Sequence, residues 1–198
     1  MSRAIHATFG NHSGPRSERG LEQYDTPPCA IEALLAVEPL PKDIWEPCSG
    51  SGSIVHVLEA HGYRVTANDL LIDGIDFLQR RHAPPGVKGI VTNPPFSRAA
   101  DFVRHGLLLV PKVVLLQRVQ WLESDSRADV FDSEKLVRVH IFRNRVPRMH
   151  RVDWTGNRTS ASMLLAWFVF EFDHKGKAEI DWIRCERPTQ RSRRGPNK

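Results

Sequence analysis

Apolar positions cluster along this chain in short runs, and polar stretches with helical spacing separate them. Thr26-Pro27-Pro28 opens a helix predicted to run to about Val37, with Thr26 as its N-cap and proline in the first turn. Asp43–Glu46 reads as a short strand and Ser53–His61 as a helix closed by Gly62. Tyr63–Asn68 is a second strand, Gly74–Arg81 a short helix, and Val87–Thr92 a third strand. Arg98–Leu109 is helical, Val113–Leu116 is a buried strand, and Gln120–Phe131 is helical again. Val137–Phe142 and Leu165–Phe172 are rich in β-branched and aromatic residues and close the pattern as strands.

Strands alternating with helices predict an α/β fold, a doubly wound and mainly parallel sheet covered on both faces. The last two strands have no helix between them and are expected to form an antiparallel edge pair. There is no internal repeat. The length of 198 residues, 40% of them hydrophobic, fits one globular domain. Residues 1–20 are polar and Gly/Ser-rich, and their composition predicts a flexible arm.

Composition removes several function classes. No apolar run approaches membrane-spanning length, and the first residues lack a signal-peptide core. Cys29, Cys48 and Cys185 are too few and too scattered to suggest a disulfide framework or a zinc site, and the nine histidines show no paired ligand spacing. A reducing cytoplasm and no structural metal are the expectation.

Charge adds a partner. The net charge is only +5, yet residues 138–158 hold six arginines against Asp153. Residues 184–198, a basic C-terminal tail, hold six basic residues against Glu186, so the remainder of the chain is net acidic. A basic stripe on an acidic body suits a polyanion, most often nucleic acid.

The chemistry concentrates at three strand ends. The first strand runs out into "EPCSGSG", where Glu46 closes the strand, Pro47 stiffens the exit, and Gly50 and Gly52 let a ligand approach the backbone. Neither a phosphate loop nor a dinucleotide fingerprint is completed there, and an acid at that point suits a cationic amino group. Asp69 ends the second strand seventeen residues beyond Gly52, where an acid can accept ribose hydroxyls. Asp76 and Phe77 follow, suited to an adenine amino group and ring. The third strand ends in "NPPF", Asn93 to Phe96, whose two prolines hold backbone acceptors and an aromatic ring in fixed places.

"YDTPP" (24–28), "EPCSGSG" (46–52), Asp69, Asp76 and "NPPF" (93–96) together resemble an S-adenosylmethionine-dependent amino-methyltransferase, in the order found in gamma-class adenine-N6 DNA enzymes. The resemblance covers about residues 24–117, and NPPF is its most specific element. It implies a Rossmann-like class I methyltransferase domain over residues 21–183. Tyr24, Thr26 and Pro27 would border the methionine end of the cofactor. Glu46, Gly50 and Gly52, with Pro47 in the same turn, would line its amino acid and sulfonium. Asp69 would take the ribose, Asp76 the adenine amino group, and Phe77 would pack beside the ring. Asn93 with the carbonyl of Pro94, stiffened by Pro95, would accept the hydrogens of a target amino group, and Phe96 would stack on the flipped base.

The segment between Asp69 and Val87 is short for such a fold, so a third strand on the cofactor side is expected to be missing or vestigial. A separate target-recognition domain is not expected either. That points to a compact, phage-type or orphan enzyme, with recognition falling to residues 143–162, the N-terminal arm or a partner. Within 143–162, Arg145, Arg148 and Arg151 would meet phosphates, and Trp154 or Met149 would sit near the flipped base. DNA is the expected partner. An RNA base methyltransferase acting on adenine N6 or guanine N2, a protein-glutamine methyltransferase and a silent nucleic-acid-binding module are the alternatives.

Overall fold

The computed structural model describes residues 25–123, 125–147 and 163–186. Eleven regular elements follow in order: α1 (Pro28–Leu35), β1 (Asp43–Glu46), α2 (Ser53–Ala60), β2 (Arg64–Ala67), β3 (Gly89–Thr92), α3 (Ala99–Leu109), β4 (Lys112–Arg118), α4 (Ala128–Asp132), β5 (Leu136–Phe142), β6 (Leu165–Glu171) and β7 (Glu179–Ile183). The seven strands form one sheet in the order β2-β1-β3-β4-β6-β5-β7.

β1 to β4 pair in parallel, because each connection carries a helix or helical turn back across a sheet face. β6 runs antiparallel between β4 and β5, giving the expected antiparallel pair. A seventh strand, β7, then adds in parallel to β5 at that edge. β7 is not legible in the sequence: its pattern is exposed at four of five positions, with no buried alternation to reveal it.

The strands are apolar because both faces are covered. β3 is buried throughout and β6 at six of seven positions. On one face Ile31, Leu34, Ile54 and Leu58 of α1 and α2 pack over Ile44, Val91, Val114, Leu116 and Trp167. On the other, Phe102 and Val103 of α3 and Val130 of α4 pack with Trp45, Ile90, Val113, Leu115, Phe168 and Phe170. Trp167 also donates its indole N–H to the carbonyl of Ala30, which ties α1 to the centre of the sheet.

Two predicted helices are shorter than expected. Gly74–Arg81 contracts to a single 3-10 turn, Phe77–Gln79, started by the Asp76 side chain accepting from the Leu78 N–H. Gln120–Phe131 divides into 3-10 turns at Val119–Leu122 and Asp125–Arg127 followed by α4. The Thr26 cap is also corrected. Pro27 is the N-cap position of α1 and no side chain caps it, since the Thr26 hydroxyl is engaged elsewhere.

The cysteines need a further correction. Cys29 and Cys185 form a disulfide with their Cα atoms 5.0 Å apart, and only Cys48 is free. Their separation of 156 residues hides the pairing in the sequence. The bridge fastens the start of α1 to the segment just beyond β7.

β2 is the opposite edge of the sheet, so among the described residues no strand lies beyond it. No helix among the described residues is long and apolar enough to cross a membrane.

Candidate functional site

Parallel pairing brings the carboxyl ends of β1 to β4 to one rim of the sheet. The strand order reverses at β1, whose neighbours are β2 on one side and β3 on the other. In open α/β sheets this reversal opens a crevice, and ligands gather there. Glu46, Asp69, Thr92 and Asn93 all lie at this point.

Glu46 is fully buried. Its Oε1 accepts from the Thr92 hydroxyl at 2.6 Å and from the Cys48 N–H at 2.9 Å. Its Oε2 is buried with no hydrogen-bond partner among the described residues. Burial therefore pushes the carboxyl up to about 8, with the nearby Asp69 charge acting in the same direction and the Thr92 and Cys48 hydrogen bonds opposing it. A buried carboxyl with an unspent oxygen is costly for a fold on its own, and it is well suited to receive a cation.

The loop after β1 turns through two left-handed glycines, Gly50 at φ +49° and Gly52 at φ +82°. Asp69 shapes this loop from the end of β2: its Oδ2 accepts from the Gly50 N–H at 3.0 Å and its Oδ1 from the Leu71 N–H at 2.9 Å. The Ser49 N–H reaches the Asn68 carbonyl at 3.0 Å, and Ser51 donates to Asp25 at 2.5 Å. The segment before α1 thus closes over the loop. Pro27 sits at the entry to α1, and Tyr24 lies outside the described residues.

Asn93 follows β3 directly. Its Nδ2 donates to the Thr26 hydroxyl at 3.1 Å, and Thr26 is itself only 2% exposed. That bond directs Nδ2 toward Thr26 and so sets the orientation of the amide. Pro94 is buried, while Pro95 and Phe96 are half-buried. Phe96 packs at the margin of the α1–α2 core face, beside which Val146 and Met163 also pack.

Two of the expected cofactor residues have structural employment. Asp76 spends Oδ1 on the Leu78 N–H and Oδ2 on Gln79 Nε2. Phe77 is 3% exposed, its ring stacked on Phe102 at 4.7 Å and edge-on to Trp45 at 5.1 Å. A ring that deep in the core offers little face to a ligand, so its contribution to a site would come through its backbone and its position.

Thr92 and Arg118 were not singled out in the sequence, although each ends an apolar strand with a polar side chain. Thr92 holds Glu46, and the Arg118 guanidinium lies over the Phe96 ring at 4.8 Å from its centroid.

The basic stripe divides. Arg138 is not part of a polyanion surface: it pairs with the buried Glu38 at 2.6 Å, at the opposite end of the sheet from the rim. Arg143 and Arg145 are exposed just beyond β5, on the rim side. Arg143 lies over Trp182, 5.4 Å from its centroid, and its N–H donates to the Ile183 carbonyl. Both ends of the 143–162 connection meet the rim, since β5 ends there, β6 begins there, and the Leu164 carbonyl accepts from the Val119 N–H just after β4. Arg148, Met149, Arg151 and Trp154 lie outside the described residues, as do residues 1–20 and 187–198. Among the described residues no cluster of three His, Cys, Asp or Glu could hold a metal.

No protein-family model matches the chain, and no curated protein matches it in sequence. Solved structures do resemble it. A Pyrococcus horikoshii protein provisionally assigned as an RNA methyltransferase superposes with a TM-score of 0.51 at 12% identity, over 83% of this chain and 93% of that one. The modification subunit of a provisionally assigned type I restriction enzyme from Vibrio vulnificus superposes with a TM-score of 0.53 at 13% identity, over 85% of this chain. The match spans about half of that subunit (48%). At these identities the likeness is one of fold, and the fold is the Rossmann-like class I methyltransferase fold.

Proposed function

We propose that this protein transfers a methyl group from S-adenosylmethionine to the exocyclic N6 amino group of adenine in DNA. The observation that carries the reading is the Asn93 amide, held by Thr26 at the strand-reversal crevice and followed by two prolines and Phe96.

An exocyclic amino group is a weak nucleophile because its lone pair is delocalised into the ring. The Asn93 carbonyl oxygen and the Pro94 carbonyl can accept its two hydrogens, which favours a pyramidal nitrogen with a localised lone pair. Because Thr26 and the prolines fix both acceptors beforehand, little reorganisation is needed as the bond forms. A neutral amide suffices, since the methylated nitrogen loses its proton readily to water. Phe96 offers a ring on which a base taken out of the duplex can stack.

The cofactor, when bound, supplies the electrophilic methyl group. The residues fit its methionine end. Glu46 Oε2 is a buried acceptor lacking a partner among the described residues, and an ammonium would provide one. Asp69 stands at the second strand end, with lone pairs beyond the two N–H bonds it already accepts, so it can also receive ribose hydroxyls.

Exposed Arg143 and Arg145 on the rim favour a polyanionic substrate over a protein glutamine. RNA is the second reading, because a fold neighbour is assigned to RNA and the same acceptor pair would serve a base amino group in either polymer. Methyl-labelled cofactor offered to separate DNA, RNA and protein pools, followed by nucleoside analysis, tests the assignment. The expected product is N6-methyladenine in DNA. Label confined to RNA would move the substrate to the second reading, and label in glutamine would overturn both.

A further inference from the structure

Among the described residues the guanidinium over Phe96 makes no hydrogen bond and no ion pair. Arg118 is exposed at the end of β4, and its guanidinium stands 4.8 Å from the centroid of the ring that follows the two prolines. Several other basic side chains of the fold are spent on acids, among them Arg64 on Asp43, Arg98 and Arg104 on Asp101, and Arg138 and Lys112 on Glu38. Among the described residues no acid pairs with Arg118. Its backbone, by contrast, is fixed. Its N–H donates to Gln117 Oε1 at 2.9 Å, it pairs with Leu165 of β6, and the next N–H reaches the Leu164 carbonyl. A full positive charge with unspent donors is therefore carried by an exposed side chain on a hydrogen-bonded strand end.

We propose, resting on the reading that a nucleobase enters this site, that Arg118 is a substrate-positioning residue. It covers a face of Phe96 until a base takes that face, and then binds the phosphate of the same nucleotide.

Three physical points support the exchange. A guanidinium is planar and weakly hydrated, so it can lie on an aromatic face much as a base does. At an exposed site this stack is weak, and a nucleobase stacks more strongly, so the base displaces it. The released guanidinium presents several N–H donors in a plane, the geometry that phosphate oxygens accept best. The exchange leaves the charge beside the nucleotide it has admitted, which couples base entry to backbone grip.

The test compares full-length wild type, Arg118→Ala and Arg118→Lys in binding two labelled single strands of equal length. One is oligodeoxyadenylate and the other carries abasic sites throughout. Arg118 should move to phosphate only where a base can enter. For oligodeoxyadenylate, Arg118→Ala should therefore lower the slope of log affinity against log salt by ~0.7, one single-strand phosphate contact, and Arg118→Lys should restore it. On the abasic strand the three proteins should behave alike. Equal losses on both strands, or no loss on either, would overturn the exchange while leaving nucleic-acid binding intact. If the wild type bound neither strand, the nucleobase reading itself would fall and take this role with it.

Discussion

In the proposed reaction Asn93 and Glu46 would serve the two ends of the transfer, Asn93 at the target nitrogen and Glu46 at the cofactor. Asn93→Ala removes the side-chain acceptor from the target nitrogen and leaves the β1 loop untouched. It should abolish methyl transfer while cofactor affinity, read by calorimetry, stays near wild type. Wild-type turnover in this variant would mean that the acceptor lies elsewhere. Glu46 has an ordinary carboxyl value of 4.5 that the fold raises to about 8. Between those values the native state keeps a proton that the unfolded chain has released, so Glu46 lowers stability as pH rises through the window, levelling off above pH 8. Glu46→Gln keeps the shape and removes the titration. Its melting temperature should approach that of the wild type near pH 4.5 and exceed it progressively toward pH 8, while cofactor binding weakens by about 1.5–3 kcal/mol as a charge-assisted contact is lost. An unchanged pH dependence of melting would show that Glu46 does not titrate there.

At the scale of elements, the amino end of the parallel strands and the β7 edge of the sheet are held by means other than apolar packing. Glu38, buried behind α1, receives Lys112 from β4 and both Arg138 and His140 from β5. These donors hold its carboxyl well below the usual range despite its burial. The stabilisation is present at neutral pH and fades only as pH falls below ordinary carboxylate values. Glu38→Ala should cost about 3–5 kcal/mol in chemical denaturation, because Lys112 and Arg138 then lose their counter-charge, and His140 its hydrogen-bond partner, in a poorly solvated place. The other device is the disulfide. β7 buries only Ile183 among its five residues and depends on β5 and on the Cys29–Cys185 bridge for its place. Replacing both cysteines with serine should lower stability by about 2–5 kcal/mol, and a dithiol reductant should lower the wild-type melting temperature in the same direction. No response to reductant would mean that the bridge does not form in solution.

For the whole molecule, charge is arranged by end. The Glu38 cluster absorbs two cations at the amino end of the parallel strands, leaving Arg118, Arg143 and Arg145 to the rim. The described ends of the 143–162 connection lie at that rim, and the proposed contact of its arginines with nucleic acid can be tested directly. Arg145, Arg148 and Arg151 changed together to alanine should weaken DNA binding across sequences and flatten the log–log salt dependence by ~0.9 per lost duplex phosphate contact. Trp154→Ala should reduce turnover or target choice more than affinity. Normal binding and methylation by the triple variant across a salt series would transfer the role to the basic tail beyond Arg184.

The sequence by itself determined the strands that are buried on both faces. β1, β3, β4 and β6 are short apolar runs, and burial leaves such runs few alternatives in a chain that alternates them with helices. It also determined the loop chemistry of the candidate site, because left-handed glycines and paired prolines constrain the backbone locally. Only the tertiary structure decided what depends on partners distant in the chain. Thr26 reads locally as a cap, but Asn93, 67 residues away, claims its hydroxyl. Arg138 reads as part of a basic stripe, but Glu38, 100 residues away, neutralises it. β7 has too little buried face to declare itself, and Cys29 and Cys185 become neighbours only once β7 is placed. Local sterics and hydrophobic periodicity are written in adjacent residues. Hydrogen bonds and ion pairs are settled by whichever groups the fold brings within about 3 Å.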